Sequence, residues 1–384
     1  MKTPIVWVTA TLSAAIAVLT TSFVIATGTR GQSASFTSSA GQLEIQTVAS
    51  GLVNPWSLAF LPDGRMLVTE RPGRMRIVTP DGVLSPPLKD VPKPYAGGQA
   101  GLLDVALDRN FVTNRTLYFC YSADSGGNAA IARARLKEDG TALDEVKVVF
   151  TQAGPGGGAN HGCRIAQSGD GDLYVTLGDH FAPRDEAQNL GADNGKIIRI
   201  APDGSVPPDN PFVGRDGARP EIWSYGHRNG QGLAFNPATG DLWEIEHGPR
   251  GGDEVNIIGK GRNYGWPVIG YGIDYNGAKI HDSTAKDGME QPVKYWVPSI
   301  APSGMAFYTG ALFPTWKGSL FTGALKAKLL VRLSLKDNTV VGEERLLQNL
   351  NERIRDVRQG PDGALWLLTD SSAGRILRVS PAGK

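Results

Sequence analysis

With 384 residues and 39 Lys and Arg against 38 Asp and Glu, the chain carries no global field that would recruit nucleic acid or an anionic membrane, so any anion-binding surface has to be local. Hydrophobic residues make up 41% alongside 49 Gly and 25 Pro, which excludes disorder and points to many tight turns around a large core.

The chain opens on Lys2 and an apolar run from Ile5 to Ala26, followed by small and polar residues. That order predicts an export signal. The alternative is an uncleaved anchor, because about 20 apolar residues span a bilayer. Either way the body is translocated, to be periplasmic or secreted, with membrane attachment only if the segment is retained. Residues 1–40 are expected to form this segment plus a linker, and residues 41–384 a single domain. Cys120 and Cys163 are the two cysteines; a disulfide and two buried thiols are both open.

Beyond the linker one pattern recurs: an apolar strand, a Pro/Asp/Gly turn, a second strand ending in Thr or a small residue, another turn, and a third strand. It is clear in "LAFLPDGRMLVTERPGRMRIVTPDG" (58–82), looser at 102–136, at 163–179 running on to "NGKIIRIAPDG", at 232–249 and at 304–335, and clear again at 354–383. Six such copies predict an all-β, six-bladed β-propeller with four-stranded antiparallel blades. A β-sandwich with chance turn similarity is the competing reading.

In a propeller the loops entering the innermost strands converge on one end of the channel. Unusual polar residues stand at those mouths: Gln99 before the second copy, Asn160 and His161 before the third, His227, Arg228 and Asn229 before the fourth, and Arg353 and Arg355 before the sixth, with Lys326 inside the fifth. Arg353 and Arg355 share one strand face. Four cations with several amides suit a planar polyanion. Taken alone, His161 would be expected to do no more than hydrogen-bond a neighbouring loop. Glycines 154, 156, 157 and 158 lack the strand-to-helix context of a phosphate loop.

The strings "NPWSLAFLPDGRMLVTER", "GGQAGLLDVALD", "NHGCRIAQSGDGDLYVTLGD", "YGHRNGQGLAFNP", "EHGPRGGDEVNIIGKGRNYGWP" and "RIRDVRQGPDG" together resemble the pyrroloquinoline quinone (PQQ)-dependent soluble aldose sugar dehydrogenases of the glucose/sorbosone dehydrogenase family, over nearly all of 45–380. The resemblance implies His161 as general base, its pKa near the working pH, Asp179 as the carboxylate orienting it, and Arg228 and Asn229 as stabilisers of charge on the reduced quinone. It implies Gln99, Arg228, Asn229, Lys326, Arg353 and Arg355 as PQQ ligands. It further implies the Gly248 and Pro249 carbonyls as ligands of a calcium ion on the cofactor, and Glu254 and Tyr264 as a second, structural calcium site, with Asp274 a further candidate.

Asn160 and His247 depart from the glucose-specific pattern, which carries an acidic residue and a glutamine there, and favour a broad aldose specificity. Sugar-pocket walls are expected from 181–192 and 271–303. The implied partners are an aldose and an external electron acceptor, a quinone or redox protein, for a monomer or homodimer. Two other functions compete: a calcium-dependent propeller lactonase or hydrolase, and a non-catalytic extracellular propeller binding glycan or protein.

Overall fold

The Pro-Asp-Gly turns close hairpins because their glycine adopts a backbone that side chains disfavour: φ is +84° at Gly64 and +77° at Gly363. Each recurring turn therefore folds two apolar segments into an antiparallel pair. The computed structural model describes residues 34–123 and 127–383, together with Met1 and Pro4. The chain divides into two units, Met1–Gln32 and Ser33–Lys384; the expected export or anchor segment lies outside the described residues. Among the described residues no helix is long and apolar enough to cross a membrane.

Six antiparallel sheets follow one another along the chain. Their innermost strands are Pro55–Phe60, Leu102–Leu107, Gly162–Gln167, Gly230–Phe235, Pro302–Phe307 and Ile354–Gln359, here the first strands of blades 1 to 6. Each packs against the next, and the sixth packs against the first, so the ring closes as a six-bladed propeller. Blades 2 to 5 have four strands each, blade 1 has three, and blade 6 has five. The fifth comes from the N-terminal side: Gly41–Leu52 pairs with Gly374–Pro381, and Ala34–Ser38 pairs with Gly41–Leu52 in turn. A strand therefore starts inside the stretch expected to be linker. This closure joins the two ends of the ring and covers an edge that would otherwise template aggregation.

The second strands Met66–Glu70, Leu173–Leu177, Leu242–Glu246, Leu320–Ala324 and Leu365–Thr369 are buried throughout, because both faces meet neighbouring blades. Trp243 of blade 4 meets Phe307 of blade 5 edge-on at 5.6 Å in one such interface.

All six innermost strands share one irregularity. Each slips register against its partner near its start, at Pro55/Ser57, Leu102/Val105, Gly162/Ile165, Gly230/Gly232, Pro302/Met305 and Ile354/Asp356. Such a bulge leaves residues out of the ladder and re-aims them. Those residues include Trp56, Leu103, Asp104, Arg164, Gln231 and Arg355, which build the floor and walls of the site described next.

Candidate functional site

Below the site, the channel is closed by charge. Arg164 lies 3.2 Å from Asp104 and 3.0 Å from Asp356, and Arg358 pairs with the same two carboxylates. The Arg164 guanidinium also sits 4.0 Å above the Trp56 ring. Matched buried charges of this kind stay because each ion is paired on more than one side.

Above this floor a cavity of about 400 Å³ is lined by Gln99, His161, Asn229, Arg353 and Arg355 of the expected set. Its volume falls in the range of small-molecule sites. Trp56, Arg71, Gln231, His247 and Asp370 complete the polar wall.

His161 is buried, and the backbone around it is left-handed at Asn160 (+50°), Gly162 (+66°) and Cys163 (+72°). Strain held at the two non-glycine positions, Asn160 and Cys163, is a mark of functional segments. The His161 Nδ1 meets Ser122 Oγ at 3.4 Å and the backbone of Gly158 and Gly127 lies against the ring, while the buried Nε2 makes no hydrogen bond of good geometry among the described residues. A disulfide between Cys120 and Cys163 ties the Ser122 strand to the residue two beyond His161. Desolvation pushes the imidazole down to about 4, so it is neutral well below pH 7 rather than poised near it.

Asp179 does not orient this imidazole. Oδ1 accepts from Asn160 Nδ2 and the Phe181 N–H, and Oδ2 from Trp266 Nε1. The register explains the difference: Gly162 pairs with Leu177, and the Gly178 N–H bonds the His161 carbonyl. Asp179 therefore falls opposite Asn160, where the chain has left the regular ladder, and its carboxylate takes the Asn160 amide while the His161 ring turns to Ser122. The ring that meets His161 is His180, edge-on at 4.7 Å, whose Nε2 meets Gln152 Oε1 at 2.7 Å. The Asn160 amide, committed to Asp179, is not a free reader of substrate.

On the opposite wall Arg353 and Arg355 both bond Asp370 Oδ2, at 2.8 and 3.1 Å. Burial works against the Asp370 charge, yet Arg355 and Arg353 hold its carboxyl well below the usual range. Two guanidiniums on one carboxylate leave the wall positive. Arg355 also donates to Gln231 Oε1, and Gln99 Oε1 accepts from the Asn160 N–H. Lys326 departs from expectation: it is exposed, and its neighbour Leu325 lines the cavity instead.

Arg228 faces a second cavity of about 20 Å³, which it lines with Gly248, Pro249, Glu254 and Tyr264. Its Nη1 donates to the carbonyls of His247 and Gly248, both at 3.0 Å. A Cβ at Gly248 would come within 2.2 Å of the Gly251 carbonyl oxygen and 2.4 Å of that of Gly252. The turn thus crowds the Gly251 and Gly252 carbonyl oxygens against Gly248; backbone oxygens are donors that a hard cation accepts, and the Gly248 carbonyl here accepts from Arg228. Asp253 fixes this turn: Oδ1 accepts from Gly248 N and Ser299 Oγ, and Oδ2 from Ile300 N and Ala301 N. The Tyr264 hydroxyl donates to Ile257 O and accepts from the Gly259 N–H, leaving its carbonyl as the atom it can offer a metal.

The two loops expected to wall a sugar pocket meet: Arg184 pairs with Asp274 at 2.5 Å, and Phe181 lies 6.2 Å from Tyr275. Asp274 is thereby used in an ion pair. Sequence reading missed Arg71 and Asp370, which sit in ordinary turns, "TERPG" and "LTDSS"; a charged residue at the end of a second strand was the available signal.

Comparison with known proteins places these observations. The sequence profile described as Glucose / Sorbosone dehydrogenase matches residues 52–378. The chain is 45% identical over 346 residues to the aldose sugar dehydrogenase YliI of Escherichia coli (strain K12), covering 88% of this chain and 93% of that protein. The apo-form crystal structure of the soluble aldose sugar dehydrogenase from Escherichia coli superposes with a TM-score of 0.86 at 45% identity, over 88% of this chain and 99% of that one. The PQQ-bound form of the aldose sugar dehydrogenase from Streptomyces coelicolor gives 0.74 at 30% identity, over 88% and 98%.

Proposed function

The chain belongs to the glucose/sorbosone dehydrogenase family and is an oxidoreductase, and from that premise we propose that it oxidises aldose sugars at C1 to the lactone, with PQQ held in the 400 Å³ cavity and electrons passed on to an external quinone or redox protein. One observation carries the reading: the neutral imidazole of His161, whose Nε2 makes no hydrogen bond of good geometry among the described residues, shares a cavity with Arg71, Arg353 and Arg355.

The division of labour follows from the wall chemistry. Arg353 and Arg355, with Gln99 and Asn229, would hold a carboxylated planar ligand by charge-assisted hydrogen bonds. Bound there, the quinone supplies the two-electron acceptor for the hydride from C1. His161 Nε2 takes the proton of the anomeric hydroxyl, for which it is already deprotonated. Asp179 acts one step away, holding Asn160 and Trp266 so that the strained segment keeps its shape. Arg228 and Asn229 form the wall towards the turn at Gly248 and Pro249, whose carbonyls would hold calcium.

Asp370, the carboxylate on the cavity wall, is neutralised by two arginines; this disfavours a lactonase, which needs inward carboxylates free to hold one metal. Export to the periplasm or beyond belongs to the same proposal, as does a broad aldose specificity. Apo-protein reconstituted with PQQ and calcium should reduce a dye when aldoses are added, and should lose that activity with EDTA. Sugar-independent or cofactor-independent reduction would sink the proposal.

A further inference from the structure

Blade 4 carries a second charged group, away from the cavity floor. Register places Glu244 opposite Asn256 and Glu246 opposite Glu254 on neighbouring strands, so all four side chains share one face. Glu244 is fully buried, and Glu246 and Asn256 nearly so. His227, from the loop after the last strand of blade 3, closes the group: a ring nitrogen and one oxygen each of Glu244 and Glu246 lie within 4.8 Å of one another.

The donors around these carboxylates are too few. Asn256 Nδ2 stands 3.5 Å from Glu244, 3.3 Å from Glu246 and 3.4 Å from Glu254. Two amide hydrogens are thus shared among three acceptors at long range. Arg228 N and Asn229 N donate to Glu246 Oε2, and His227 Nδ1 is 3.5 Å from Glu246. Among the described residues no Lys or Arg side chain joins them. Asn256 Oδ1 and Glu244 Oε1 have no hydrogen-bond partner among the described residues, although both are buried. Buried carboxylates left without a counter-charge are costly.

We propose that this cluster is a divalent-cation site, in which an oxygen-preferring ion of the calcium or manganese class is held by Glu244, Glu246 and the Asn256 carboxamide, with His227 beside it and Glu254 at its outer edge. Turning the Asn256 amide presents Oδ1 to the ion without moving the backbone, and the two orientations are interchangeable in shape. Carboxylates plus a carboxamide oxygen are the donors hard cations select. The site differs from the Gly248 and Pro249 carbonyls, and it reaches deeper between blades 3 and 4 than the pair Glu254 and Tyr264. Its consequence, which rests on the proposed cofactor reading, runs through Glu246: the carboxylate that binds the ion also fixes the main chain of Arg228 and Asn229.

The test uses the full chain, stripped of metal and free of quinone, titrated by calorimetry with calcium in one arm and manganese in another, with metal content and Tm read alongside. Wild type should bind and its Tm should rise. Glu244→Gln should be at least as stable as wild type in EDTA, since it removes a buried charge, yet lose about tenfold or more in affinity and most of the metal-dependent rise in Tm. Wild-type-like binding by Glu244→Gln, with binding lost in Glu254→Gln, would overturn the inner site while leaving the Glu254 and Tyr264 reading in place. Failure of wild type to bind either ion would overturn it too, whereas dye reduction, measured separately, decides the proposed activity.

Discussion

The floor of the channel and the cavity above it are built the same way and behave in opposite ways. Both draw on residues displaced by bulges in the innermost strands, Asp104 and Arg164 on the floor and Arg355 in the cavity. On the floor, Arg164 and Arg358 meet Asp104 and Asp356 in equal number. In the cavity, Arg353 and Arg355 share the single Asp370 carboxylate, and His161 Nε2 is unmatched. Matched charge closes the ring, and unmatched charge marks where a ligand can go.

Breaking the matched region should have the largest effect. Arg164→Ala leaves Asp104 and Asp356 buried with half their counter-charge, and should lower stability by about 3–5 kcal/mol in chemical denaturation. In the unmatched region, Arg355→Ala should weaken quinone binding by roughly tenfold to a hundredfold, the worth of a charged hydrogen bond, as read by absorbance titration. Stability should change less there than in Arg164→Ala. A similar destabilisation from both substitutions would erase the distinction between the regions.

Acid sharpens the comparison. Burial pushes His161 down to about 4, and His180 and His247 to about 3. The unfolded chain takes up these protons near pH 6.5, so stability present above that value should fall as pH drops from about 6.5 towards 4. The acid limb of kcat/KM should lie near 4 to 5 rather than near 6.5, measured at pH values where the fold persists. The smallest effect belongs to Lys326→Ala: an exposed cation outside the lining should shift quinone affinity by no more than about 0.5 kcal/mol.

Sequence carried the blades further than it carried the site. Turn residues repeat, so six copies were legible, but the closing strand Gly41–Leu52 has no such turn and finds Gly374–Pro381 across the whole chain. His161, Arg353 and Arg355 were legible because they stand at strand mouths. The pairing of Asp179 was misjudged because it depends on register, and one residue of offset turned it towards Asn160. Arg71 and Asp370 were hidden because a charged turn residue reads as solvated until the ring brings it inward. The shared role of Asp253 on Gly248, Ile300 and Ala301 joins loops that no local pattern connects.

The central claim is that the cations bind the quinone while His161 handles the proton, and His161→Ala tests it most directly when quinone titration and aldose-dependent dye reduction are read on the same preparation. The account predicts quinone affinity within about threefold of wild type and turnover lower by roughly 10²–10⁴. Equal loss of binding and turnover, or turnover that survives, would contradict it.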